Sequence, residues 1–224
     1  MVEQELNRTK TRILQWTFPE VEIVNTIKAR MLNRKASSAK SKSEEIIKAF
    51  SLKIGQHIAD VGSGGGYFSF LFARDVGREG KVYAIDTKKE LLDFIRSNSD
   101  KNGFHNIIPV LAEDNRFPLM SKKLDLVFLR NVYHHLPNRE VYFSDLVKSL
   151  STGAKIAIID YDGRGKWSFH RLFCHYVPKA TIVNEMTGAG YHLVEDHAFL
   201  PEQSFLIFSV SKNENNQNQE EALL

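Results

Sequence analysis

Short apolar runs recur along the chain from about residue 57, and longer amphipathic stretches separate them. The runs at about 57–61, 81–86, 107–111, 124–130 and 154–160 read as strands. Helices are expected between them at about 67–76, 88–102 and 138–150. A last helix at about 179–189 ends in Gly188-Ala189-Gly190. Two closing strands, about 191–198 and 205–211, flank Pro201 and suit a hairpin. Strand and helix in alternation argue for a largely parallel sheet with helices on both faces. Ser43-Glu44-Glu45-Ile46-Ile47 reads as a capped helix start. Gly153 follows the helix expected to end near Leu150, a position suited to a C-terminal cap.

The two ends of the chain follow other patterns. Residues 1–42 carry Ile13, Leu14, Trp16, Phe18, Val21, Ile23, Val24 and Ile27 around Pro19. Short helices broken near the proline are expected, forming a lid over the cleft of the domain that follows. Between Lys28 and Lys53 eight basic residues stand against Glu44 and Glu45. That excess reads either as a solvated helical face or as a surface for an acidic substrate or an RNA backbone. The tail at 212–224 is rich in Asn, Gln and Glu, and disorder is expected there.

The 224 residues suffice for one sizeable α/β domain with a short appendage. A net charge of +3 is too small to point to nucleic acid by itself. The single cysteine, Cys174, excludes an intrachain disulfide and a cysteine-based zinc site, and it fits a reducing cytoplasmic setting. The acidic, polar start Met1-Val2-Glu3-Gln4-Glu5 does not read as a signal peptide. No apolar run approaches the ~20 residues needed to cross a bilayer. No metal site and no membrane insertion are expected.

The candidate chemistry centres on Asp60-Val61-Gly62-Ser63-Gly64-Gly65-Gly66-Tyr67-Phe68. A strand, a glycine turn and a helix in that order let a ligand lie against bare main chain and face the helix's free N–H groups. The dinucleotide fingerprint fails here: the register from Gly62 puts Tyr67 at the third glycine, and the register from Gly64 puts Ser69 there. Asp60 would repel a pyrophosphate but suits a cationic ligand. Asp86 ends the next apolar run, 20 residues after Gly66, where a ribose-binding acid belongs. A ribose without pyrophosphate, plus a positive charge, suggests S-adenosylmethionine.

On these residues the sequence resembles the class I S-adenosylmethionine-dependent methyltransferases, and among them the broad type 11 group. Asp60-x-Gly62-x-Gly64-x-Gly66 looks like their motif I, and Asp86 like the acid ending their second strand. The resemblance runs from about Ser43 to Ser211. It implies a seven-stranded, mostly parallel α/β sheet at 43–211 with the N-terminal helical segment ahead of it. It also implies S-adenosylmethionine as cofactor, with Asp60, Gly62, Ser63, Gly64 and Gly66 in the cradle and Asp86 on the ribose. Thr87, the next residue, would flank the adenine. An acid after the third strand would accept from the adenine amino group. Two compete for that role: the count back from Pro118 favours Glu113, and the usual identity favours Asp114.

Ligands in open α/β sheets bind beyond the C-terminal ends of the strands. Asn131-Val132-Tyr133-His134-His135 occupies that position after the fourth strand. Asn131 would line the cofactor site. His135 matches the family's hydrophobic-His-Leu element and reads as packing. His134 and Tyr133 are candidates for taking a proton from the acceptor, with His170 in the loop after the fifth strand as a third. The sequence Arg130-Asn131-Val132-Tyr133 lacks the paired prolines of adenine amino-methylases. One cysteine disfavours arsenite methylation, which uses several thiols, and cytosine C5 methylation, which needs a nucleophilic Pro-Cys. The expected function is methyl transfer to a small-molecule acceptor. The rivals are an RNA or protein methyltransferase docking through residues 28–53, and a catalytically silent cofactor-binding module.

Overall fold

The computed structural model describes residues 26–112, 116–119, 122–164 and 176–210. Seven strands form one sheet: β1 (His57–Val61), β2 (Lys81–Asp86), β3 (Ile107–Leu111), β4 (Leu124–Arg130), β5 (Leu150–Tyr161), β6 (Tyr191–His197) and β7 (Gln203–Val210). Their order is β3-β2-β1-β4-β5-β7-β6. Pairs β2–β3, β1–β4 and β4–β5 are parallel, whereas β7 runs antiparallel to both β5 and β6. The helices are α1 (26–36), α2 (Ser43–Phe50), α3 (Tyr67–Val76), α4 (Lys89–Asn102), α5 (Arg139–Leu146) and α6 (Lys179–Gly188). The fold is therefore the mostly parallel α/β sheet expected, closed by an antiparallel hairpin.

The chain divides into two compact units. The first holds α1 to α4 with β2 and β3. Its core joins Phe50 of α2 to Phe72 of α3, whose ring centroids lie 6.1 Å apart, above the buried Val82–Ile85 run. Burying one such ring stabilises by roughly 1.5–3 kcal/mol. Asn106 ends α3 by donating from Nδ2 to the carbonyls of Ala73 (2.9 Å) and Gly77 (2.8 Å).

The second unit holds β1, β4 to β7, α5 and α6. Leu126–Leu129 and Ile156–Asp160 are buried without a break, as expected for strands covered on both faces. Ile182 and Met186 bury one side of α6. The Tyr191 hydroxyl donates to the Phe143 carbonyl at 2.7 Å, tying β6 to α5.

Two local expectations are corrected. Ser43 is the first residue of α2, not its cap: Lys42 occupies the cap position in a left-handed conformation. The Ser43 hydroxyl instead lies 3.1 Å from that of Tyr67. The helix expected to Leu150 ends at Leu146, continues as a 3-10 turn over Val147–Ser149, and gives way to β5 at Leu150. Gly153 thus lies within a strand, with φ of 75°. There the β4–β5 register jumps from Leu124–Leu150 to Leu126–Lys155, so the glycine serves a bulge and no helix end. Of the expected N-terminal lid, residues 1–25 lie outside the described residues, as do 211–224 at the tail.

Candidate functional site

The glycine loop runs from the end of β1 at Val61 to the start of α3 at Tyr67. Gly62 takes φ of 70°, and a Cβ there would sit 2.8 Å from Cγ2 of Val132 in the turn after β4. Only glycine meets both demands. Within the first unit, Ser63 N–H donates to the Ile85 carbonyl at 3.0 Å and Gly66 N–H to the Ser63 carbonyl at 2.8 Å. Asp86 closes the arrangement. Its Oδ2 accepts from Gly64 N–H at 2.9 Å and its Oδ1 from Lys88 N–H at 3.0 Å. An ionised carboxylate has about four acceptor positions, so two such bonds leave capacity for a diol. Thr87 is exposed between them. The Ser63 Oγ is buried and finds no hydrogen-bond partner among the described residues. An unsatisfied buried hydroxyl costs about 1–3 kcal/mol, which a polar ligand would relieve.

Helix α1 presses on the same loop. Asn33 Nδ2 donates to the Gly65 carbonyl at 2.8 Å, and its Oδ1 accepts from Tyr67 N–H at 3.2 Å. A Cβ on Gly65 would lie 2.3 Å from Asn33 Oδ1 and 2.4 Å from the Ala29 carbonyl oxygen. Neither Asn33 nor Gly65 stood among the candidates from sequence. The doubled glycine after Gly64 was the available signal, since motif I demands no glycine at position 65.

In the second unit, β1 carries Asp60, buried and in register with Phe128 of β4. After β4 the chain turns at Asn131, with φ of 56°. Asn131 N–H donates to the Ile159 carbonyl at 2.8 Å, and its side-chain oxygen accepts from Gln203 Nε2. The carboxamide is therefore engaged by β7.

The next three residues form a 3-10 turn, Tyr133–His135, that gives each side chain a different fate. Tyr133 is fully buried and stacks on Phe143 at 5.7 Å. Its hydroxyl donates to Glu185 Oε2 at 2.6 Å, and Arg139 lies 5.1 Å above the ring. Burial, then the Glu185 hydrogen bond, push the phenol far above its ordinary range. Tyr133 is thus corrected from a candidate base to a core residue. The Arg139 guanidinium, donating to both Glu185 oxygens at 2.7 and 2.8 Å, holds that carboxyl below the usual carboxylate range.

His134 points the other way. Its Nδ1 lies 2.8 Å from Oδ1 of Asp160, a fully buried carboxylate at the end of β5. Asp160 Oδ2 also accepts from His134 N–H at 3.0 Å, and Oδ1 from Tyr161 N–H at 2.8 Å. A carboxylate only accepts, so Nδ1 is the donor in this pair. This partnership was not foreseen, because the two residues are 26 apart in sequence. His135 is exposed, its ring 4.0 Å from that of His134, which corrects its reading as a packing residue. The remaining candidates, Glu113, Asp114 and His170, lie outside the described residues.

Residues 52–216 match the family described as methyltransferase domain. The chain belongs to that family. This methyltransferase-family chain is 32% identical over 114 residues to an arsenite methyltransferase of Halobacterium salinarum, a stretch covering 50% of this chain and 29% of the relative. It is 29% identical over 113 residues to a protein-L-isoaspartate O-methyltransferase of Pyrobaculum islandicum, covering 50% and 52%. The chain thus spans about half or less of the length of these curated relatives. A crystal structure of a SAM-dependent methyltransferase from Aquifex aeolicus superposes with a TM-score of 0.71 at 22% identity, covering 81% of this chain and 98% of the other. That likeness establishes the shared fold.

The first unit's residues fit an adenosyl ligand. The Asp86 carboxylate offers acceptors to a diol, and the Ser63 hydroxyl has no hydrogen-bond partner among the described residues.

Proposed function

We propose that this methyltransferase uses S-adenosylmethionine and methylates a small-molecule acceptor. The observation that carries the reading is the cradle of the first unit: Asp86 accepts from the N–H of Gly64 in the loop and from that of Lys88, and the buried Ser63 hydroxyl has no hydrogen-bond partner among the described residues. When bound, the cofactor supplies an electrophilic methyl group on a sulfonium sulfur. Asp86 would accept from the ribose hydroxyls while holding Gly64, and Ser63 would gain its missing hydrogen bond. The main chain at Gly64 would meet the amino-acid portion. Asn131 shapes the turn after β4 through its backbone, with its side chain given to Gln203.

His134 would take the acceptor's proton at Nε2. Asp160 fixes the tautomer and steadies the imidazolium formed, at roughly the 10²–10⁴-fold scale of a positioned base. Nothing covalent is required of the protein, since alignment and exclusion of water suffice for an in-line displacement. One cysteine in the whole chain argues against an arsenite acceptor, whatever the name of that relative. The exposed basic residues Arg30, Arg34, Lys35 and Lys40 support a second reading, a protein or RNA acceptor.

Labelled methyl transfer into a fractionated cell extract separates these readings. Label in the small-molecule fraction is expected. Label in protein or RNA would replace the acceptor class. Tight binding of S-adenosylmethionine without turnover on any fraction would indicate a silent module. Binding of NAD but neither S-adenosylmethionine nor S-adenosylhomocysteine in calorimetry would sink the cofactor reading.

A further inference from the structure

The helix that precedes the family-matched region contributes to the cradle. α1 lies outside residues 52–216, yet its Asn33 holds the glycine loop at two consecutive points. The first is the peptide joining Gly65 to Gly66. Its carbonyl oxygen accepts from Asn33 Nδ2, and its N–H donates to the Ser63 carbonyl. A planar peptide gripped at both ends cannot rotate without breaking one bond. The second point is the start of α3. Gly66 occupies the cap position and has no side chain with which to cap, so the first N–H of the helix, on Tyr67, would be orphaned. Asn33 Oδ1, reaching in from another helix, accepts it.

Gly65 shows how close this docking is. It is the one glycine of the loop whose φ is not in the left-handed region, so its backbone tolerates alanine. What excludes a Cβ is contact with α1: Asn33 Oδ1 at 2.3 Å and the Ala29 carbonyl at 2.4 Å. Ala29 is itself fully buried. The Ser43–Tyr67 hydroxyl pair holds α3 from α2 as well.

We infer that Asn33 is a positioning residue for the methyl donor, and that docking of α1 and binding of the adenosyl ligand form one coupled equilibrium. The inference rests on the proposed cofactor reading. Coupling of this kind is reciprocal: whatever loosens α1 weakens the ligand, and the ligand in turn tightens α1.

The test uses the full chain, S-adenosylhomocysteine as ligand, calorimetry and amide hydrogen exchange. Asn33→Ala should weaken binding about tenfold, the scale of losing a cap and one further hydrogen bond. The donor KM should rise by a similar factor, more than kcat falls. Asn33→Asp keeps the acceptor for Tyr67 N–H and loses the donor to Gly65, so its loss should be smaller. Gly65→Ala should weaken binding in the same direction by displacing α1. In the wild type, ligand should slow exchange across residues 26–36, and in Asn33→Ala it should not. A purely structural asparagine would not create that ligand-dependent difference. Unchanged affinity in Asn33→Ala, against clear wild-type binding, overturns this inference alone. A wild-type protein that binds neither sulfur compound overturns the cofactor reading and this inference with it.

Discussion

The loop after β1 and the turn after β4 follow opposite plans. The loop after β1 acts through main chain: its N–H groups are arranged by Asp86 and Asn33, and its side chains are mostly hydrogen atoms. The turn after β4 acts through side chains, and a 3-10 turn sends three consecutive residues into the core, onto a buried carboxylate and out to solvent. A main-chain site constrains residue identity, because few residues other than glycine fit. A side-chain site constrains direction, which neighbouring letters in a sequence do not record.

The comparison breaks most visibly at His134. His134→Ala should lower turnover about 10²–10⁴-fold while donor affinity stays within about twofold, since the proposed base belongs to the acceptor step. Asp160→Asn should lower it less, because the imidazole remains while its tautomer and charge lose support. Steady-state kinetics with calorimetry on both variants is the measurement. An active His134→Ala variant with a flat pH profile would leave alignment alone as the mechanism.

A second break falls in the main-chain site. Asp86→Ala removes a ligand acceptor and the anchor of Gly64 together. Donor binding should weaken about 100-fold, given roughly 1.5–3 kcal/mol for a hydrogen bond to a charged group. Asp196→Ala, which loses only an exposed pairing with Lys179, is the control and should leave binding unchanged. Equal effects in the two variants would remove Asp86 from the site.

The contrast also explains what the sequence disclosed. The bounds of β1, β2, β3, β4 and α3 agree with the pattern of apolar runs residue for residue, because turn residues flank those runs. The glycine loop was legible because its backbone needs cannot be met otherwise. Gly153 misled, since a left-handed glycine looks the same at a helix end and in a strand bulge. Tyr133 and His135 misled for a deeper reason. Tyr133, His134 and His135 are contiguous, and only the turn decides which is buried. Asn33 and Asp160 were hidden because each acts on a partner far along the chain.

In the turn after β4, Tyr133→Ala should destabilise the protein by about 3–5 kcal/mol, the usual cost of deleting a buried ring, as read by denaturant unfolding. Acid should attack the same cluster through Glu185. Its carboxyl is depressed in the folded state by Arg139, so its stabilisation is fully present above the unfolded value near ~4.3 and fades as pH falls through the folded value. Glu185→Gln should flatten the stability profile in that acid range and leave it parallel to wild type near neutrality.

The smallest effect is expected two residues from the largest structural one. His135 is exposed, so His135→Ala should change stability by less than about 0.5 kcal/mol, as surface substitutions do. Its ring nevertheless lies 4.0 Å from that of His134. Steady-state kinetics of the variant should show little change in kcat. A stability loss of several kcal/mol in His135→Ala would restore it to the core and reverse the assignment of the turn.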